Sequence, residues 1–111
     1  MIHERAGAVI IQPILATPRA AALAVQHHLP AIAPSEPFAE ARGLMTYASN
    51  RASNWRSLAT YVDKILKGTK PADLPVERPM QFDLVINLKM AHTLSLTMPP
   101  SLLFQATDVI R

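Results

Sequence analysis

Short apolar runs alternate with helical segments along this chain, and this alternation restricts the possible folds more than any other feature. Residues 8–11 (AVII) form a continuous, β-branched run of the kind found in strands that are buried on both faces. Residues 19–28 predict a helix, because Thr17 can cap its first turn and Pro18 suits the first helical position. Residues 29–33 predict the next strand. A strand, a helix and a second strand within about 25 residues indicate a βαβ unit with parallel strands.

The middle of the chain predicts a further strand and a long helix. Ser35 is a candidate cap for a short helix over residues 36–41, and residues 43–47 predict a third strand. Asn50 is a candidate cap for the long helix, which Gly68 can end in a left-handed conformation. Apolar residues recur in that helix at spacings of three and four, which indicates one core-facing stripe. The stripe consists of Ala52, Trp55, Leu58, Ala59, Val62, Ile65 and Leu66.

The last third of the chain predicts a strand and two helices after a proline-rich connector. Residues 71–79 contain three prolines and alternating charges, so we expect an extended segment. Residues 81–87 predict a strand, and Asn87 is a candidate cap for a helix over residues 88–94. A final helix is expected over residues 99–110. These elements predict the α/β fold class, with a three-layer, parallel, Rossmann-like sheet and flanking helices.

Composition excludes several classes of protein. Half of the residues are hydrophobic, which suits a folded domain rather than a disordered one. The 11 lysines and arginines are scattered along the chain, so we expect no nucleic-acid partner. Cysteine is absent, so no disulfide and no thiol nucleophile can form, and the presence of only 3 glycines argues against a phosphate-binding loop.

No group of side chains predicts catalysis or metal binding. His27 and His28 are adjacent, and successive residues on a helix point about 100° apart, so they cannot readily share one ion. No third ligand lies at a suitable spacing, and we expect no metal and no cofactor. The chain also lacks the nucleophile-elbow, P-loop and dinucleotide-binding motifs. We therefore expect a protein that binds rather than an enzyme.

Several segments are specific enough to indicate a family. They read GLMTYASN at residues 43–50, ATYVDKILKG at 59–68, PADLPVE at 71–77, LVINLK at 84–89 and PPSLL at 99–103. Together they closely resemble the C-terminal part of the ABC-transporter substrate-binding proteins. The resemblance implies a type-I periplasmic binding protein, in which two α/β lobes close on a small ligand. The better understood members of that family bind aromatic amino acids.

The resemblance also implies a domain organisation and a location. Residues 1–111 would form a single partial domain, with a wound βαβ lobe over residues 1–70, a proline-rich, hinge-like connector over residues 71–80, and a C-terminal strand and helices over residues 81–111. No apolar run reaches the ~18 residues that a membrane span needs. The family is periplasmic or membrane-anchored outside the cytoplasm. The first residues here do not resemble a secretion signal, so the chain as it stands would be cytoplasmic.

The candidate ligand site lies at the carboxyl ends of the predicted strands, where α/β proteins hold their ligands. The resemblance implies that Tyr47 is a pocket tyrosine, whose ring stacks on a ligand while its hydroxyl donates a hydrogen bond. An ordinary half-buried tyrosine at a sheet edge is the alternative. Gln12 and Ile14 follow the first predicted strand and Ser35 follows the second, so we expect all three at the same edge. They lie there either in the pocket or as plain loop residues.

Two further candidates stand where the long helix begins. Ser49 and Asn50 can present polar side chains and backbone N–H groups at a helix start, which suits a ligand carboxylate. A simple N-cap is the alternative interpretation of Asn50.

Two functions fit these observations. The first is the solute-binding component of an ABC import system, here a C-terminal lobe fragment that binds a small organic ligand such as an amino acid without catalysis. In the full-length receptor, a membrane permease would read the closure of the lobes. Such a fragment should bind its ligand weakly or not at all by itself. The second is a ligand-free structural domain, a truncated remnant that self-associates through surfaces the other lobe would cover. We expect a homodimer, with possible exchange of the segment after Pro71.

Overall fold

The computed structural model describes residues 5–111, which form a five-stranded sheet and five α-helices. The strands are β1 (Val9–Ile10), β2 (Ala31–Ala33), β3 (Met45–Ser49), β4 (Phe82–Asn87) and β5 (Asp108–Ile110). The helices are α1 (Pro18–Gln26), α2 (Pro37–Glu40), α3 (Arg51–Leu66), α4 (Leu88–Thr93) and α5 (Pro100–Gln105), with short 3-10 turns at Pro13–Leu15 and Pro71–Asp73. Residues 1–4, on which part of the secretion-signal prediction rests, lie outside the described residues.

The strands follow one another across the sheet in the order β1-β2-β3-β4-β5. Three pairs are parallel, with Val9 opposite Ala31, Ile32 opposite Met45, and Val85 opposite Asp108. The predicted α/β class, with a largely parallel sheet and flanking helices, is thereby confirmed. The N–H of Asn87 donates to the carbonyl of Leu44 over 2.8 Å, which joins the end of β4 to the start of β3. That pair is therefore antiparallel.

The chain divides into two compact units. The first consists of the residues up to Ala48 together with Asp83–Arg111, and the second of Ser49–Phe82. The first unit holds most of the sheet, and the second holds α3 and the proline-rich connector. The organisation expected for the family-like lobe, with boundaries at residues 70 and 80, stays a prediction.

Two aliphatic clusters form the core of the first unit. In one, Ala21 and Ala24 of α1 pack with Ala31 and Ala33 of β2 and with the fully buried ring of Phe38. The second cluster joins Leu44, Ala91 and Leu94, with Met45, Met90 and Met98 packed against them. Four small alanines make up most of the first cluster, around a single aromatic ring.

Side-chain caps begin α1, α3 and α4, as the sequence predicted. Oγ1 of Thr17 accepts a hydrogen bond from the N–H of Ala20 over 3.2 Å, and α1 begins there. Oδ1 of Asn87 accepts one from Met90 over 3.1 Å at the start of α4. Gly68 has φ 101°, a left-handed conformation that ends α3.

The expected burial of α3 is wrong. The helix has no buried residue, and Trp55, predicted to lie in the core, is 64% exposed. Leu58 and Val62 are also about half exposed, at 50% and 49%. The spacing of apolar residues correctly predicted a helix with one apolar face, but spacing does not reveal what that face contacts.

Four other expectations need correction. The final helix stops at Gln105, and Val109 and Ile110 lie in β5, because these β-branched residues pair with the end of β4. Ser35 does not cap α2, which follows Glu36 and has no side-chain cap. The third strand occupies Met45–Ser49 rather than residues 43–47. The connector starts with a 3-10 turn at Pro71–Asp73 instead of being extended throughout.

Candidate functional site

The parallel strands β1, β2 and β3 bring their carboxyl ends to one edge of the sheet. The register pairs Ile10 with Ile32, and Ala33 with Thr46. When this register is extended past the strand ends, Gln12, Pro34 and Tyr47 lie at the same level. We call this edge, defined by Gln12, Ile14, Ser35 and Tyr47, the carboxyl edge. It is where open α/β sheets hold their ligands.

Gln12 and Ile14 lie in a tight turn that leaves the sheet at this edge. Gln12 precedes the 3-10 turn Pro13–Leu15, and its carbonyl accepts a hydrogen bond from the N–H of Leu15 over 2.9 Å. Its side chain caps nothing and is exposed. Ile14 is 85% exposed. Because Pro13 fixes the backbone, the turn presents one amide and one aliphatic side chain in a defined position.

Ser35 lies in the connection between β2 and α2. Its carbonyl accepts a hydrogen bond from the N–H of Phe38 over 3.0 Å, and its side chain is partly buried. That backbone bond turns the chain into α2, whose ring at Phe38 anchors it in the core. The backbone of Ser35, which carries the hydroxyl, is therefore held by this hydrogen bond next to the core.

Tyr47 lies in the middle of β3 rather than at its end. It is 51% exposed, whereas the neighbouring Thr46 is 1% exposed, so the strand alternation directs these two side chains to opposite faces. The level of Tyr47 is one residue beyond the last paired residue of β2. An exposed ring at this level is compatible with both a stacking surface and an ordinary edge tyrosine.

Ser49 and Asn50 belong to the second unit, where their side chains serve the start of α3. Oδ1 of Asn50 accepts a hydrogen bond from the N–H of Ser53, and Oγ of Ser49 accepts one from Nδ2 of Asn54, both over 2.8 Å. The N-cap interpretation of Asn50 thus describes a bond that is present. A ligand role for these two residues would depend on backbone N–H groups more than on their side-chain oxygens.

The second unit contains a groove with both polar and apolar walls that the sequence reasoning missed. A cavity of about 300 Å³ lies between α3 and the connector, lined among others by Ser53, Ser57, Tyr61 and Arg78. The hydroxyl of Tyr61 donates to the carbonyl of Pro75, which fastens the connector to the helix. Ser53, Ser57 and Tyr61 recur every four residues, so a search for a polar stripe on α3 could have found this face.

Metal binding has no support within residues 5–111, where no three His, Cys, Asp or Glu side chains are grouped to hold an ion. His27 and His28 are both exposed at the end of α1. Across the same residues, no helix combines the length and the apolar character needed to cross a membrane.

A sequence model of the ABC transporter substrate binding protein family matches residues 7–110. That match extends over nearly the whole chain, including both compact units. The comparison with curated protein sequences gave no significant match.

Several solved structures have the same fold. A conserved domain protein from Vibrio cholerae O1 biovar El Tor is 24% identical, with a TM-score of 0.84 over 97% of this chain. An ABC domain from Streptococcus pneumoniae in complex with L-Trp is 29% identical, with a TM-score of 0.73 over 84% of this chain. A substrate-binding protein with adhesive properties from Clostridium difficile, in a ligand-free, open structure, is 19% identical, with a TM-score of 0.70 over 99%.

The chain spans only part of those proteins. It covers 38%, 32% and 39% of their respective lengths. The matched region therefore represents about two fifths or less of each complete structure.

Proposed function

This chain belongs to the ABC transporter substrate-binding protein family, and on that premise we propose that it is the solute-binding part of an ABC import system. It contributes one side of a ligand cleft and performs no chemistry on the ligand. The observation that carries the proposal is the family match over residues 7–110 of 111. The parallel strand ends at the carboxyl edge support it, because they offer a ligand position typical of this fold class.

The ligand class that we propose is a small organic molecule, and specifically an amino acid. Support comes from the Streptococcus pneumoniae ABC domain, which was solved with L-Trp. An aromatic amino acid needs a flat surface for its ring and polar groups for its two charged ends. The exposed ring of Tyr47 offers the first, and the side chains of Gln12 and Ser35 offer hydrogen bonds.

Each candidate residue has a proposed role. Tyr47 stacks on the ligand, Gln12 and Ser35 donate or accept hydrogen bonds, and Ile14 covers an apolar part of the ligand. In the second unit, Ser49 and Asn50 are proposed to present the N-terminal N–H groups of α3 to a carboxylate, since a helix start favours negative charge.

The complete receptor is proposed to act by closure. The solved relatives extend well beyond the matched part, since this chain covers only 38% of the Vibrio cholerae protein. A second lobe would supply the other side of the cleft, and closure on the ligand would shift an open–closed equilibrium that a membrane permease reads. The family typically works outside the cytoplasm, and we propose the same location for the receptor of which this chain forms part.

A ligand-free, self-associating domain is the second candidate function. It is favoured by the large apolar side chains at the surface, including Ile10 at 81% and Leu66 at 82% exposure. Surfaces of this kind are usually covered by another polypeptide. This alternative predicts a homodimer, either through such a surface or by exchange of the segment after Pro71.

An NMR titration of the isolated, isotopically labelled chain with L-tryptophan tests the first candidate. With one side of the cleft present, we expect a Kd of about 1 mM or weaker, equivalent to roughly −4 kcal/mol. Chemical shift changes should be confined to the amides of the carboxyl edge and the start of α3. Tyr47→Ala should remove the response, whereas Tyr47→Phe should keep the stacking part of it.

A matched pair of glutamines provides the control. Gln12→Ala should weaken the response. Gln26→Ala should leave it unchanged, because Gln26 ends α1 shortly before the amino-terminal end of β2, away from the carboxyl edge, and is also exposed. Micromolar binding by the isolated chain would contradict the need for a second lobe. Shift changes that avoid the carboxyl edge would contradict the proposed site.

A further inference from the structure

The four residues that define the carboxyl edge carry no charge, although the proposed ligand has a positively charged end. Gln12, Ile14, Ser35 and Tyr47 all have neutral side chains. Moving an ammonium group from water into a closing cleft is costly unless an anionic group pairs with it. A carboxylate close to this edge would provide that partner, and strand β4 supplies one.

Strand β4 brings Asp83 close to the carboxyl edge, because it runs antiparallel to β3. The N–H of Asn87 donates to the carbonyl of Leu44, which places these two residues opposite each other. When the register is followed back along β4 and forward along β3, Asp83 lies opposite Ala48, one residue beyond Tyr47. The amino end of β4 therefore lies beside the carboxyl end of β3, within the first compact unit.

Ser35 and Asp83 flank Ala48 from the two neighbouring strands. Since Ala33 lies opposite Thr46, extending β2 by two residues places Ser35 beside Ala48. Neighbouring strands are about 4.8 Å apart, so the backbones of Ser35 and Asp83 are roughly 10 Å from each other. All three residues are partly buried. The short side chain of Ala48 thus leaves space at the end of β3 between a hydroxyl and a carboxylate.

We propose that Asp83 binds the ammonium group of the ligand and selects ligands that carry one, an inference that rests on the proposed solute-binding function. An ammonium group has several N–H donors, so from the space beside Ala48 it donates to the Asp83 carboxylate and to the Ser35 hydroxyl. A bond between two charged groups is roughly twice as strong as a neutral hydrogen bond. Asp83 also takes part in an interaction within the chain. Its two oxygens together offer several acceptor positions, so a ligand can be bound in addition.

The ring and the ammonium group of the ligand would be bound by different side chains. Successive residues of a strand point to opposite faces, so Tyr47 directs its ring away from the face that holds Ala48 and Asp83. A ligand that uses both must pass over the carboxyl end of β3, and the methyl group of Ala48 leaves room for this. Selection for the ammonium group can therefore be lost while the ring still binds.

Three ligands with the same ring separate these two contributions in an NMR titration. L-Tryptophan has both charged groups, tryptamine keeps only the ammonium group, and indole-3-propionate keeps only the carboxylate. In the unsubstituted chain, tryptamine should shift the amide signals of Ala48 and Asp83, and indole-3-propionate should not. Asp83→Asn should weaken the binding of L-tryptophan and tryptamine roughly tenfold, the effect of losing one charge-assisted hydrogen bond, and should leave indole-3-propionate unchanged.

Glu40→Gln is the matched control, because it removes the same charge from an exposed carboxylate of the same unit. Glu40 follows Ala39, whose carbonyl accepts a hydrogen bond from Nδ2 of Asn87 at the other end of β4. Glu40→Gln should therefore bind all three ligands as the unsubstituted chain does. Circular dichroism verifies that both variants are folded, and the comparison of ligands on the unsubstituted chain needs no variant.

The outcomes distinguish this inference from the function on which it rests. Equal binding of tryptamine by the unsubstituted chain and by folded Asp83→Asn would overturn the role of Asp83 and leave solute binding intact. A tryptamine response that spares the amides of Ala48 and Asp83 would do the same. If none of the three ligands gave a response, the solute-binding proposal itself would fail, and the role of Asp83 with it.

Discussion

At the scale of single residues, the first unit depends on one contact that only glycine permits. The N–H of Gly43 donates to the carbonyl of Phe38 over 2.7 Å, and the Phe38 ring is fully buried against the same residue. A Cβ atom at Gly43 would overlap both the ring and that carbonyl oxygen. This close approach lets α2 fold back onto the sheet just before β3.

Gly43→Ala should therefore destabilise the protein. Because the Phe38 ring is enclosed on all sides, it cannot move away without disturbing the alanine cluster, and overpacking of this kind costs about 1–3 kcal/mol. Urea unfolding followed by circular dichroism measures the loss as a lower midpoint. Gly7→Ala is the control, because no atom lies within 4 Å of the position its Cβ would occupy. Equal midpoints for the two variants would show that the ring can yield.

The helix caps predicted from the sequence are correct at three of four positions, and Ser35 is the exception. Thr17, Asn50 and Asn87 were expected to cap helices, and each accepts a hydrogen bond from the N–H three residues later. The second role of Asn87 could not be predicted, since its Nδ2 donates to the carbonyl of Ala39, far away in sequence. The contact between Gly43 and Phe38 was equally hidden, because only the folded backbone brings them together.

At the scale of elements, the sequence predicted correctly that α3 is a helix but not what surrounds it. Its cap, length and left-handed end at Gly68 follow from residues within or next to the helix. Its burial does not, because burial depends on what lies opposite. At β5 the predicted element type itself was wrong. Val109 and Ile110 continue the apolar pattern of a helix, but they form a strand that pairs with β4.

Two alanine substitutions test whether the apolar face of α3 is exposed in solution. Trp55→Ala should change the free energy of unfolding by no more than about 0.5 kcal/mol, since the ring is 64% exposed in the isolated chain. Ile86→Ala should cost about 2–5 kcal/mol, because Ile86 is fully buried in β4. Urea unfolding of both variants gives the comparison. A loss for Trp55→Ala as large as that for Ile86→Ala would mean that α3 is covered in solution.

At the scale of the whole molecule, the predicted topology indicated which residues share the carboxyl edge, whereas the ligand roles of those residues stay predictions. Because parallel strands place their carboxyl ends together, the sequence alone assigns Gln12, Ser35 and Tyr47 to one edge, as the strand register confirms. The groove between α3 and the connector, lined by Ser57 and Arg78 among others, was missed because it depends on how the connector returns along α3. A turn such as the one at Pro13 follows from the local sequence. Contacts between segments that are far apart in the sequence, such as α3 and the connector, do not.

The unequal packing of the two units predicts an order of local unfolding. Both core clusters lie in the first unit, whereas α3 has no buried residue and the ion pair between Asp63 and Lys67 at its end is exposed. Segments with little buried apolar surface open at lower free energy than the global transition. Hydrogen-exchange mass spectrometry should therefore find that peptides from residues 51–66 exchange well before those from β2 and β4. Ile86→Ala should lower the protection of β4 and leave that of α3 unchanged, because α3 already opens independently. If α3 were protected as strongly as β4, the second unit would not open by itself, and the exposed face of the helix would have to be covered by something that stabilises it.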